Sequence, residues 1–238
     1  VENIVSFSGG KDSTAMLLLL IEKGIQIDKI IFCDTTLEFP ELYEYIKKIE
    51  NHIKIPITIL KPKNTWDHWF YGVFTRGVKK GIIRGFPYAI TPCWWSREAK
   101  IRLLDKAQGS GNCVYIGITK TEEKRTLAKQ YKSRSNIYKF PLCEWGYSEK
   151  DCFKYLVRKG FPHPLSHFKR TGCWLCPKQS KESLHVLYKN YPELWKKLKK
   201  YEADSPQGFK HNVKLSQIED EAQLMGCFVA KKGILYNN

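Results

Sequence analysis

A short apolar run at residues 4–7 leads straight into Ser8-Gly9-Gly10-Lys11-Asp12-Ser13, and a helix-forming stretch follows to about Lys23, where Gly24 stops it. That order of strand, glycine turn and helix constrains the fold more than any other feature of the chain. Two adjacent glycines let the backbone approach a bound group, while consecutive N–H groups, the dipole of the following helix and Lys11 converge on one small volume. The volume suits a phosphate. Ser8 and Ser13 add hydroxyl donors, and Asp12 can orient Lys11 or a magnesium ion. The spacing is neither G-x-x-x-x-G-K with a following Ser or Thr nor G-x-G-x-x-G, so this is a nucleotide loop of another kind.

Downstream the pattern repeats. Residues 29–33 and 55–60 read as apolar strands with a helix at 40–51 between them, 97–106 as a further helix, and 113–116 and 138–142 as two more strands. A helix over 148–159 opens at Ser148, a good N-cap. Short apolar strands alternating with helices predict right-handed crossovers and an α/β fold, a doubly wound, mainly parallel sheet covered on both faces. Over residues 65–92 the pattern loosens, and Trp66, Trp69, Tyr71 and several glycines suggest a long connection or lid. Beyond Pro177 the chain turns helical and basic, with a break at 205–208 and a last helix at about 216–225. The expected organisation is a nucleotide-binding domain over 1–177 and a basic helical extension over 178–238.

The hexapeptide at 8–13 is the signature of the PP-loop ATP pyrophosphatases, the adenine nucleotide alpha hydrolase superfamily, which the chain resembles over about residues 3–200. Cys33-Asp34-Thr35-Thr36-Leu37-Glu38-Phe39-Pro40-Glu41 is similar to the D-T-G-x-x-F-P-E segment of the phosphoadenosine phosphosulfate (PAPS) reductase branch, with Thr36 in place of the usual glycine. Gly117-Ile118 with Glu122 and Arg125 is similar to the stretch that reaches the nucleotide's anionic end in that branch, although Thr119 stands where an arginine is common. Pro141, Trp145, Asp151, Pro164-Leu165 and Gly172-Cys173 follow the branch's order. The resemblance implies ATP with Mg2+, or a sulfonucleotide, bound by Ser8, Gly9, Gly10, Lys11, Asp12, Ser13, Asp34, Thr35, Gly117, Glu122 and Arg125. It assigns catalysis to Lys11, Asp12 and Asp34.

Cys173-Trp174-Leu175-Cys176-Pro177 is a C-x-x-C knuckle, in which two thiolates can bind one metal centre. Cys93 lies 80 positions upstream, just before Trp94-Trp95-Ser96-Arg97. This layout resembles the cluster-binding sulfonucleotide reductases, where a Cys-Cys pair is followed by an arginine and later by C-x-x-C; here Trp94 replaces the second cysteine of the pair. The resemblance implies a 4Fe-4S cluster on Cys93, Cys173 and Cys176 with one iron open. Zinc is the alternative if His163, His167 or Cys143 completes the site. Cys33, Cys113 and Cys152 sit in apolar contexts and read as core. The reductases' catalytic E-C-G-x-H tail is absent, which leaves Cys227 as a late candidate nucleophile whose apolar neighbours favour packing.

At 238 residues, with 42% hydrophobic and 27% charged, the chain has the composition of a folded globule rather than of a disordered segment. Its longest apolar run, 15–21, falls far short of the roughly 20 residues that cross a bilayer, and its N-terminus lacks the features of a secretory signal. A cytoplasmic protein with reduced cysteines and no membrane partner is expected. Net charge is +16, and the excess concentrates in 76–106, 120–139 and 178–214. Such a field attracts polyanions. On one helix Lys196, Lys199 and Lys200 are expected outward and Trp195 and Leu198 inward. With Lys197, Arg76, Lys79, Lys80, Arg84, Lys129, Lys132 and Arg134 they are expected to contact the phosphates of tRNA or DNA. Trp66, Trp69, Trp94, Trp95 and Trp174 are packing residues or base-stacking platforms.

The expected activity is adenylylation of a nucleic acid by ATP, followed by iron–sulfur-dependent replacement of the activated oxygen by sulfur, a thiolation. One alternative is sulfonucleotide reduction by a thiol nucleophile with an electron-donor protein. Another is a non-catalytic nucleic-acid-binding protein with a zinc knuckle. A sulfur-donor protein and a homodimer are left open by the sequence.

Overall fold

The computed structural model describes residues 1–132, 136–168, 171–210 and 213–234, with side chains as far as residue 224 except at 130. Arg134 and the Cys227 side chain lie outside the described residues. The chain runs β1 (Asn3–Phe7), α1 (Lys11–Glu22), β2 (Lys29–Cys33), α2 (Pro40–Ile53), β3 (Ile57–Leu60) and α3 (Trp66–Phe70). It continues with α4 (Trp94–Ser96), a π-helical turn (Arg97–Ile101), α5 (Arg102–Gln108), β4 (Cys113–Ile116), a 3-10 stretch (Lys120–Leu127), α6 (Lys129–Lys132) and β5 (Ile137–Lys139). The last elements are α7 (Pro141–Glu144), α8 (Glu149–Arg158), α9 (Lys181–Asn190), α10 (Pro192–Asp204) and α11 (Leu215–Ile234).

The five strands lie in the order β3-β2-β1-β4-β5, and every pairing is parallel. Ile4 pairs with Lys29 of β2 on one side and with Val114 of β4 on the other. Growth of the sheet changes direction between β1 and β4. In open sheets of this kind, ligands bind outside the carboxyl ends of the strands at such a switch point. The loop at 8–13 leaves β1 there, and Gly117 leaves β4 there.

Two sets of contacts fix this arrangement. Residues Ser13 through Leu20 of α1 are all buried, as expected of a helix that packs against α8 as well as against β1. Ile4, Ile31 and Val114 form a fully buried cluster, and Leu104 and Ala107 of α5 pack against it. Each such side chain contributes about 1.5–3 kcal/mol by leaving water. At Ser148 the hydroxyl accepts from the Asp151 N–H while the Asp151 carboxylate accepts from the Ser148 N–H, a reciprocal cap that starts α8. The strand expected at 138–142 ends at Lys139 instead, because Pro141 opens α7, where its fixed φ and missing N–H cost nothing.

The chain divides into two compact units. One holds the sheet and comprises Val1–Lys63 with Ser96–Ser166; the other comprises Asn64–Trp95 with His167–Asn238. In the second unit the rings of Trp66, Phe70, Phe86 and Tyr201 pack edge to face and tilted against one another. Trp195 and Leu198 of α10 are buried, as their spacing predicts. Among the described residues no helix is long and apolar enough to cross a membrane.

Candidate nucleotide site

The loop after β1 is shaped by what its residues exclude. Gly9 has φ +73°, the left-handed region, and a Cβ there would stand 3.1 Å from Leu42 and Ile46 of α2. Gly10 is the N-cap of α1 and supplies no side-chain cap, so no side chain of the cap competes for the first N–H groups of the helix. The two serines hold the loop together. The Ser13 hydroxyl donates to the Gly10 carbonyl at 3.0 Å, and it lies 2.9 Å from the Ser8 hydroxyl. Gly117 is needed for contact: a Cβ there would stand 2.9 Å from the Ser13 Cα, so the end of β4 and the start of α1 meet backbone to backbone.

His163 braces the loop through its Gly9 carbonyl. Its Nδ1 accepts from the Leu165 N–H at 3.2 Å, so Nε2 carries the proton and donates to the Gly9 carbonyl at 3.0 Å. The ring is 2% exposed and sits edge-on to Tyr45.

The charges gather on α1 and α8. Lys11 Nζ lies 2.6 Å from Glu149 Oε2 and 3.5 Å from Asp12 Oδ2. Burial pulls the Lys11 pKa down, but the Glu149 hydrogen bond and the charges of Asp12 and Glu149 outweigh it and hold the ammonium above its ordinary value. Burial pushes Asp12 up to about 6; Lys11 offsets part of this, and the Glu149 and Glu122 charges add to it. Asp12 Oδ1 is buried with no hydrogen-bond partner among the described residues. A magnesium ion that arrives with a polyphosphate needs only one or two carboxylates, and Asp12 fits that need. Glu122 pairs with the exposed Arg125 on the 3-10 stretch.

Asp34 and Thr35 stand at the end of β2, and their side chains are used locally. Asp34 Oδ1 accepts from the Thr36 N–H and the Tyr43 hydroxyl, each at 2.7 Å, while Lys61 lies 3.4 Å from Oδ2. Thr35 donates to the buried Glu38 at 2.8 Å. Thr36 has φ +62°, which explains why glycine suits this place in the motif; here Asp34 braces the turn. Sequence reasoning missed His163, Glu149, Tyr43 and Lys61 as partners of the loop residues, because each reaches its partner through the fold. Glu38 lies within the 33–41 segment, where the sequence alone gives it no role.

Cys93, Cys173 and Cys176 are all half-buried in the second unit, and the Cys176 N–H donates to the Cys173 carbonyl at 3.1 Å, closing the C-x-x-C turn. Among the described residues, however, no group of three or more His, Cys, Asp or Glu side chains gathers to hold a metal ion. The described residues thus do not by themselves assemble the three-thiolate centre expected of Cys93, Cys173 and Cys176. Of the residues expected to complete a zinc site, two are engaged elsewhere. His163 is engaged at both nitrogens, and the Cys143 thiol donates to the Ile118 carbonyl at 3.2 Å. Burial pushes Cys33 up to about 11 and Cys152, beside Asp12, up to about 12; Cys143 is also raised, by burial and then by the Glu123 charge.

Of the basic residues, Lys196, Lys197, Lys199 and Lys200 are exposed, but Lys199 is paired with Glu219 at 2.8 Å, and Glu219 also accepts from the Trp195 indole. Lys199 is thus neutralised within the unit. Trp66, Trp95 and Trp174 are buried, whereas Trp69 and Trp94 are partly exposed.

The family model described as phosphoadenosine phosphosulfate reductase domain matches residues 2–179. Two curated proteins of Methanocaldococcus jannaschii, the uncharacterized proteins MJ0066 and MJ0973, are 27% identical over 208 residues and 28% identical over 207. The alignments cover 82% and 81% of this chain but 40% and 45% of those proteins, so the chain spans less than half the length of these relatives. Among solved structures, the PAPS reductase of Candida auris in its phosphate complex superposes with a TM-score of 0.49 at 17% identity, covering 73% of this chain and 82% of that one. The U34-tRNA thiolase NcsA of Methanococcus maripaludis, with its 4Fe-4S cluster, gives 0.46 at 17% identity, covering 85% and 72%.

Proposed function

This chain belongs to the phosphoadenosine phosphosulfate reductase domain family, and on that basis we propose that it is an enzyme that binds ATP at the β1–α1 loop and adenylylates a nucleic acid for thiolation. The observation that carries the reading is the pairing of Lys11 with Asp12 at the uncapped start of α1, where Asp12 keeps a buried oxygen without a partner. The helix start and Lys11 receive the phosphates and Asp12 the magnesium. A substrate oxygen attacks the α-phosphorus, the bond from that phosphorus to the bridging oxygen breaks, and pyrophosphate leaves with its charge matched by Lys11. Hydrosulfide then attacks the activated carbon, AMP leaves with the former substrate oxygen, and a proton is released. Neither step changes the redox balance. The polymer substrate is supported by the +16 net charge, far more than a small nucleotide needs.

Sulfonucleotide reduction is the second reading, favoured by the description of the family itself. It needs a thiolate to attack sulfur; burial disfavours that form at Cys33, Cys143 and Cys152, while the side chain of the candidate nucleophile Cys227 lies outside the described residues. Turnover assays separate the two: the proposed function predicts no sulfite from PAPS or adenosine phosphosulfate with a dithiol reductant. Sulfite release at enzymatic rates would replace it with the second reading.

A further inference from the structure

Between Asp67 and Glu98 the chain has no acidic residue, yet it carries Arg76, Lys79, Lys80, Arg84 and Arg97. Within this stretch cations and aromatic rings alternate in space. The Arg84 guanidinium lies 4.7 Å from the centre of the Trp69 ring, 5.6 Å from Trp94 and 5.8 Å from Phe74. Lys79 Nζ lies 6.0 Å from Phe74 and 5.0 Å from Tyr88, and it donates to the Tyr88 hydroxyl at 2.9 Å. Among the described residues neither cation has a carboxylate partner, and Arg84 Nε is buried with no acceptor. The segment folds back on itself through bridges of Val73 with Ile83 and Phe74 with Lys80. Its outer side leaves Val73, Val78, Ile82, Tyr88 and Ile90 exposed.

Soluble surfaces normally intersperse charges of both signs. A surface of rings and unpaired cations suits a partner that brings negative charge and flat faces together. A nucleic-acid duplex offers phosphates but hides its base faces, and an acidic peptide offers charge without faces. We propose that this segment is a recognition surface for a single-stranded polynucleotide, with unpaired bases stacking on Trp69 and Tyr88 and phosphates lying along Arg76, Lys79 and Lys80. The assignment rests on the reading of the substrate as a nucleic acid, and it states which part of the chain holds it.

Fluorescence anisotropy with a 12-nucleotide single-stranded RNA, the DNA of the same sequence and the corresponding duplex tests it, with the full chain throughout. The native protein is expected to bind a single strand at least tenfold more tightly than the duplex; RNA or DNA as the preferred strand supports the assignment equally. Tyr88→Ala is expected to weaken binding about tenfold and Tyr88→Phe to leave it intact, because the ring is what stacks. The double variant Lys79→Ala, Lys80→Ala is expected to flatten the logarithmic salt slope by about 0.7 per lost phosphate contact. ATP affinity and circular dichroism should be native in all three, which separates loss of the surface from loss of the fold. If the native chain binds no polynucleotide, the nucleic-acid reading falls and this assignment with it. If it binds but the variants match it, or if the duplex binds as well as the single strand, this assignment alone is overturned.

Discussion

His163 donates its Nε2 proton to the carbonyl of Gly9 at 3.0 Å across 154 positions of sequence. The bond holds the peptide at the left-handed turn, so the loop's shape depends on a side chain from the far end of the same unit. His163→Leu leaves the Gly9 carbonyl buried without a donor, a loss of about 1–3 kcal/mol. We expect a lower melting temperature and about tenfold weaker ATP binding, with part of both restored by His163→Gln, whose amide can donate. Titration calorimetry alongside thermal melts checks this; ATP affinity unchanged in a merely less stable His163→Leu protein would reduce His163 to a core residue.

Although Lys11 lies 3.5 Å away, burial gives Asp12 a pH dependence of opposite sign to that of a carboxylate whose pKa is depressed. Its folded pKa is raised to about 6, chiefly by burial, so between about pH 4 and 6 the folded chain binds more protons than the unfolded one. Stability therefore falls as pH rises through that window, by on the order of 3 kcal/mol at 1.36 per unit. Asp12→Asn should be the more stable protein above pH 6, with the advantage vanishing near pH 4, while losing Mg-ATP affinity. Urea unfolding at pH 4.5 and 7.5 reads the difference, and a gap that does not grow with pH contradicts it.

Two backbone positions separate strain from contact. Thr36 sits at φ +62° with an exposed side chain, a conformation that costs a non-glycine residue roughly 1–2 kcal/mol. Thr36→Gly should gain up to about 1 kcal/mol after the entropy of glycine is charged. Gly117→Ala should lose about 1–3 kcal/mol, because its methyl meets the Ser13 backbone at 2.9 Å. Chemical denaturation of both variants settles the signs.

Glu149 holds the Lys11 ammonium in the nucleotide-free protein, and an incoming phosphate must compete with it. Since Glu149 is about half exposed, the contact is worth at most about 1 kcal/mol. Glu149→Gln should tighten ATP binding two- to fivefold. Weaker binding in that variant would mean that Glu149 itself serves the ligand.

The strand, loop and first helix were legible because their determinants are local: an apolar run, two glycines and a helix stop within residues 4–24. Parallel strands buried on both faces read as continuous apolar segments, so β2 and β4 were located to the residue. What the sequence could not show is reach. Glu149 meets Lys11 and His163 meets Gly9 only after α8 and the segment behind it pack on α1. Likewise Lys199 looked free on its helix face until α11 brought Glu219 to it. Cysteine spacing suggests a shared centre from Cys93, Cys173 and Cys176, but spacing carries no distance; what is local, the C-x-x-C turn, closes among the described residues.

The proposed reaction turns on cleavage of ATP between the α- and β-phosphates, driven from Lys11 on behalf of a polymer. The most direct measurement incubates the protein and Mg2+ with α-labelled ATP, hydrosulfide and single-stranded RNA, and resolves the labelled and unlabelled products. AMP and pyrophosphate are expected in equal amounts, dependent on the RNA and abolished in Lys11→Ala. ADP with inorganic phosphate, or AMP formed at the same rate without RNA or by Lys11→Ala, would contradict it.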